Sequence, residues 1–355
     1  MHWIDWVVFG ITIIVFVIGS LATFYQIFRG QTRTGLNDKY IWGLNIQGFF
    51  TLSTLAVGIL TIVSSYILLG FSDPGPTFEM AVALAFGFLI GSQLLLASDL
   101  GKPFRAFYIL KGRNFVSPLT WDFISLLILT VLSFIYMLGV GLYQESEVLM
   151  RLWALVTLIF SLLCNVVHVL FFISRVEAGY NSQPFSALKT FACSLWGGAA
   201  ILVLLISSIR LHQIFVYFML IGSILVFITS TGAFISLKLG KKEHNNIKFL
   251  SMNLFIIAAL AFEIVFFKEK FYLEHVISVL VLLAIFLEKY EFITEFQKKP
   301  TIPLPYSKFE KSPSYRPSII EWGSLLAGTS LSVVIFYGVT IFKSYILPFI
   351  IFHVL

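Results

Sequence analysis

Long apolar runs alternate along the whole chain with short stretches rich in Lys, Arg, Pro and Gly. Ten runs stand out, at about residues 6–28, 40–69, 79–98, 120–143, 150–174, 186–208, 213–238, 247–267, 271–292 and 319–343. Each approaches or exceeds the roughly 20 residues a helix needs to cross a hydrocarbon core. Backbone polar groups in lipid must be bonded within their own segment, so the runs are read as helices. The pattern predicts an all-α, polytopic integral membrane protein of about ten transmembrane helices. It forms a single membrane domain over 1–355, with no soluble domain inserted. The first run reaches Phe28 without a small-residue cleavage site and is read as a helix, not a signal peptide.

Composition agrees. Of the 355 residues, 58% are hydrophobic and 12% charged, with a mean hydropathy of +0.93, whereas a soluble domain carries about 25% charged residues. The net charge of +6 does not point to nucleic acid, because the basic residues sit between the runs. Segments 29–39, 99–119, 175–189, 238–248 and 288–318 hold nineteen of the 24 Lys and Arg. The rest are Arg151, Arg210, Lys268, Lys270 and Lys343 on the other side. That bias places the first set in the cytoplasm and both termini outside. Within the last of these segments, 293–318 carries Lys298, Lys299 and five prolines, including Pro303, Pro305 and Pro313, which favour an extended strap over a helix. Cys164 and Cys193 fall inside runs with no Cys-x-x-Cys spacing, so no iron–sulfur cluster or structural zinc is expected in this chain.

Polar groups inside a membrane helix are expensive and mark where function is to be sought. Gln47, Thr51, Thr54 and Gly58 share one face of the second run, with Asn45 slightly off it. Asp99 closes the third run, Trp121 and Asp122 open the fourth, and His168 and Arg175 lie two turns apart at the end of the fifth. All of these converge on one leaflet. Asp99 with Arg175 can equally be read as a structural ion pair. Glu263 and Asn253 in the eighth run are candidates for a proton path, the alternative for Glu263 being a side chain that snorkels to the surface. A haem would need two axial ligands at one depth, and His168 alone lies clearly inside a run, so no haem is expected.

Residues 98–122, SDLGKPFRAFYILKGRNFVSPLTWD, are long, basic and aromatic for a simple connection. Lys102, Arg105, Lys111 and Arg113 suit a docking surface for a partner. The order D-L-G-K-P-x-R followed by N-F-x-S-P-L-T-W-D resembles the signature loop of the NrfD/PsrC family of quinone-interacting membrane subunits. T-G-L-N-D-K-Y-I-W-G-L-N-I at 34–46, V-H-V at 167–169 and W-G-G at 196–198 are similar to its ten-helix HybB/ActC/ActF-like branch.

The resemblance implies two four-helix bundles, helices 2–5 and 6–9, flanked by helices 1 and 10. In residue terms these are 1–39 (first helix and basic loop), 40–174 and 175–292 (the bundles), the strap, and 319–355 (last helix). It implies a subunit of a respiratory oxidoreductase in a prokaryotic inner membrane, with both termini periplasmic by the charge count. Such a protein exchanges two electrons between a quinone or quinol (menaquinone or ubiquinone) and an extrinsic iron–sulfur subunit, beside further catalytic subunits, with proton translocation in some members. Asp99 then stands at the acidic position of the loop motif and His168 at the histidine of the fifth helix, both as proton-exchanging groups. Asn45, Gln47, Trp121, Asp122 and Arg175 would surround the quinone. A His exchanges protons near neutral pH and a carboxylate can carry the second proton, which is the chemistry a quinone head requires. The competing reading of ten helices with buried polar groups is an ion or small-solute transporter.

Overall fold

The computed structural model describes residues 3–30, 33–37, 40–71, 75–100, 108, 112, 115–173, 185–205, 209–239, 247–266, 271–297 and 314–342. They form ten α-helices and, among the described residues, no strand. The helices are α1 (Trp3–Arg29), α2 (Leu44–Leu68), α3 (Gly75–Asp99), α4 (Pro118–Glu145), α5 (Glu147–Ile173), α6 (Ser186–Leu205), α7 (Ile209–Leu239), α8 (Ile247–Phe266), α9 (Phe271–Gln297) and α10 (Ile319–Ile341). Each apolar run is one helix. Eight of the helices are long and apolar enough to cross a membrane. The other two are α8, whose apolar stretch is Phe249–Ile264, and α9, which carries Glu274, Glu288, Lys289 and Glu291 along its length. The chain is an all-helical, multi-pass membrane protein.

Local chemistry sets several of the ends. Pro118 opens α4, where a missing N–H costs nothing. Gly30 and Gly70 follow α1 and α2 at φ 75° and 73°, the left-handed conformation that closes a helix. α10 begins with a capping box: Ser318 accepts from the Glu321 N–H, and the Glu321 carboxylate accepts from the Ser318 N–H.

Helices α2 to α5 close one ring, each packed on the next and α5 back on α2. Helices α6 to α9 close a second ring in the same way. α1 and α10 pack on each other and flank the first ring at α3. α2 is the shared wall. It touches α3, α5, α6, α9 and α10, and its whole membrane-length window is buried, its polar residues included. The rings meet closely because Gly58 of α2 faces Gly198 of α6: a Cβ on Gly58 would overlap the Ser194 carbonyl, and one on Gly198 would overlap Gly58. Small residues at such a crossing let two backbones approach to dispersion contact.

Two charges read as loop residues lie elsewhere. Lys189 stands in the first turn of α6, and Lys289 lies inside α9, which continues past residue 292 to Gln297. Both are buried. They belong to the interior and not to the solvated loops that set orientation.

Candidate functional site

The site begins with the α5 stripe. Ser161, Cys164, Asn165 and His168 recur at helical spacing on one buried face, while Leu155, Ile159, Leu162, Val166 and Leu170 are exposed on the other. A helix patterned in this way turns its polar face into the protein and its apolar face to lipid. The inward face brings His168 against α4, where its Nε2 lies 3.0 Å from Oδ1 of Asp122. Both side chains are almost fully buried. Cys164, one turn earlier, places its sulfur 3.7 Å from the same nitrogen. Phe50 of α2 meets the imidazole edge-on, with ring centroids 5.2 Å apart, and Phe49 does so at 6.0 Å. An imidazole held between a carboxylate and two aromatic rings has its orientation fixed.

The nitrogen, sulfur and oxygen of His168, Cys164 and Asp122 lie within 4.8 Å of one another. That is a donor set a zinc-like ion could accept. The 3.0 Å separation of Nε2 and Oδ1 is also that of an ion pair in direct contact.

His168 opens onto a cleft lined by Phe50 and Thr54 of α2, Ser186, Lys189 and Thr190 of α6, and Glu288, Lys289 and Phe292 of α9. The cleft therefore lies between the two rings, at the end from which residues 99–119 emerge. Its free volume of about 20 Å³ is room for one water. The second wall carries Lys189, whose Nζ is 2.8 Å from Glu288, and Lys289, 3.0 Å from the other oxygen of the same carboxylate. Lys189 also sits over the Phe249 ring at 5.3 Å. Beside them Ser194 donates to Asn165 Oδ1 at 2.6 Å and ties α6 to α5.

The other polar residues singled out in the sequence divide between this cleft and a separate network. Gln47 spans from α2 to α9, its amide donating to the Phe286 carbonyl at 3.0 Å. Asn45 turns the other way and donates to Gln26 Oε1 at 3.3 Å. Gln26 in turn donates to the Ser98 carbonyl and accepts from Ser324. Asp99, next to Ser98, has Glu321 of α10 as an electrostatic neighbour and is not among the described residues lining the cleft. Trp121 is exposed, with its indole N–H on the Phe115 carbonyl at 2.8 Å. It points away from the Asp122 side of α4. The structure thus brings together His168, which lines the cleft, and Asp122 behind it, and Asn45, Gln47, Asp99 and Trp121 are not among the residues that line it. Arg175, Lys102, Arg105, Lys111 and Arg113 lie outside the described residues.

Glu263 and Asn253 are both buried inside the second ring, so Glu263 does not snorkel outward. Glu263 has Glu274 of α9 as a neighbour. Glu274 also contacts His212, whose ring stacks on His275 at 5.6 Å. This group belongs to the opposite end of the helices from the cleft.

Lys189, Glu288 and Lys289 are the site residues that sequence reasoning missed. The available signal was the apolar sequence on both sides of Glu288-Lys289, with Phe286 and Leu287 before and Phe292 and Ile293 after. A solvated loop has no reason to keep that pattern.

The chain is thus a multi-pass helical membrane protein whose buried His168–Asp122 pair lies beside a cleft between the two rings. No protein-family model matches the chain. It is 30% identical over 114 residues, 32% of its length, to a Halobacterium salinarum protein provisionally named as a membrane subunit of dimethyl sulfoxide reductase. The match spans about a quarter of that relative, 26% of its length.

Proposed function

We propose that this chain is the quinone-interacting membrane subunit of a multi-subunit oxidoreductase, exchanging two electrons with an extrinsic iron–sulfur partner. The observation that carries the reading is the buried His168–Asp122 pair, 3.0 Å apart, with His168 opening on a cleft between the two rings. The partial similarity to a reductase membrane subunit supports the same class, and so does the resemblance of residues 98–122 to the NrfD/PsrC signature loop.

The residues fit a quinone head group as substrate. Oxidation or reduction of that head moves two electrons and two protons at two carbonyl oxygens. With Nε2 committed to Asp122, Nδ1 is the His168 nitrogen left to exchange a proton with a head-group oxygen. Asp122 fixes the tautomer and stabilises the imidazolium that forms, as a carboxylate behind a catalytic histidine does. Phe50 and Phe292 supply flat apolar walls for a ring. Gln47 pins α2 to α9 one turn from Phe50 and so holds the width of the cleft.

The experiment is purification from native membranes in mild detergent, with identification of co-purifying proteins and extraction of bound quinone, for wild type and His168→Ala. An iron–sulfur subunit at stoichiometric amount and quinol-dependent electron transfer that His168→Ala abolishes, without loss of assembly, would support the proposal. A chain that emerges alone and without quinone would overturn it and favour the ion or solute transporter.

A further inference from the structure

The wall of the cleft opposite His168 is a buried group of three charges. Lys189 and Lys289 both lie within ion-pair distance of one carboxylate, Glu288, each at a different oxygen, and all three side chains are less than a tenth exposed. Among the described residues, Glu288 is the carboxylate that either lysine meets. Two cations therefore share one anion in a low-dielectric interior, where an uncompensated charge is strongly disfavoured. The other described neighbours are the Phe249 ring under Lys189 and the buried Cys193 thiol. The first turn of α6, where Lys189 stands, adds the positive end of a helix dipole. The whole group faces the same cleft as His168. A structure that buries excess positive charge against a cavity is complementary to something negative in that cavity.

We propose that Lys189, Lys289 and Glu288 form an anion-stabilising site, which holds the head-group oxygen that carries negative charge once one proton has left a quinol. This rests on the reading of the cleft as a quinone site and adds its second pole. When the quinone takes up two electrons from the iron–sulfur partner, His168 gives a proton to one head-group oxygen, and the lysine pair holds the other oxygen as the oxyanion of the singly protonated quinol; oxidation runs the same step in reverse. Glu288 keeps both ammonium groups charged and aimed, which makes it a positioning residue. Preorganised charge of this kind favours the deprotonated species without reorganisation at the moment of reaction. The same chemistry would also suit the phosphate of a lipid head group, and the test separates the two.

The probe is heptyl-hydroxyquinoline N-oxide, an oxyanion-bearing mimic of a quinol head, titrated into the purified native complex by fluorescence quenching. Lys289→Gln keeps the Lys189–Glu288 pair and so removes the excess charge with the least risk to folding. It should weaken binding about tenfold, while Lys289→Arg should hold it near the wild-type value. Retained assembly with the partner subunits shows that each variant is folded. His168→Ala is measured in parallel. Weakened binding in both Lys289→Gln and His168→Ala supports the inference. If His168→Ala weakens binding and Lys289→Gln does not, the anion site is wrong and the quinone cleft stands. If neither matters, both fall. Native mass spectrometry covers the remaining source: loss of a bound phospholipid from Lys289→Gln with unchanged inhibitor binding overturns the inference in favour of a lipid phosphate.

Discussion

At the scale of single residues, the site depends on how little freedom His168 has. Its ring is bounded by Asp122, Cys164, Phe49 and Phe50. Removing a positioned general acid–base costs roughly 10²–10⁴-fold in rate. His168→Ala is therefore expected to lower quinol turnover by that range in the assembled complex. Asp122→Asn keeps the shape but lets the imidazole choose its tautomer, so turnover should fall while the inhibitor still binds. Equal activity in Asp122→Asn and wild type would remove the pair from the mechanism. Cys164 tests the alternative use of the same atoms. A thiol at 3.7 Å is a weak partner, and Cys164→Ala should change turnover by no more than about twofold. Elemental analysis of the purified complex that finds a stoichiometric ion, lost in Cys164→Ala, would instead show a metal centre.

At the scale of elements, the entry to α2 is held by side chains far away in sequence. Gln297, at the end of α9, accepts from the Trp42 N–H at 3.0 Å and donates to the Trp42 carbonyl at 2.9 Å. Tyr315 accepts from the Leu44 N–H and donates to Glu321, both at 2.7 Å. The other Glu321 oxygen accepts from Gly35 at 2.8 Å. One carboxylate thus ties the 33–37 turn, the start of α2 and the start of α10 together. Burial first, and then the Glu321 carboxylate, push the Tyr315 hydroxyl well above its ordinary range. The phenol is neutral in the folded state over a wider range than in the unfolded chain, where it ionises near pH 10.0. Its contribution is full below that pH and is lost as pH rises above it. The thermal midpoint of the wild type should therefore fall more steeply above pH 10.0 than that of Tyr315→Phe. Below it, the variant should be less stable by about 1–3 kcal/mol, from the Leu44 and Glu321 groups left unpaired. Parallel melting curves in detergent check both statements, and identical pH slopes would refute the first.

At the scale of the whole molecule, helix number and order were legible because apolar length sets them, and each of the ten runs became one helix, eight of them of spanning length and apolarity. His168 and Asp122 were legible as polar groups inside such runs. The rotation of each helix was not. Asn45 and Gln47 are two residues apart, and one faces α1 while the other faces α9, a choice made by the neighbours and not by the local sequence. Lys189 and Lys289 stand near the ends of runs, where the same residue type serves a solvated loop or a buried pair. What fixes these rotations is close packing at a few small residues, above all where α2 crosses α6 and the two rings join. A side chain on Gly58 would meet the α6 backbone at Ser194 and Gly198, which cannot give as a flexible side chain can. Gly58→Val should force the rings apart. The expected destabilisation is about 1–3 kcal/mol or more, together with weaker inhibitor binding, because the cleft is built from α2 on one side and from α6 and α9 on the other. Gly10→Val is the matched control, since a Cβ there meets nothing within 4 Å. If both variants melt with the wild type, the α2–α6 crossing does not hold the rings together. If only Gly58→Val melts early and keeps full inhibitor binding, the cleft does not depend on the join.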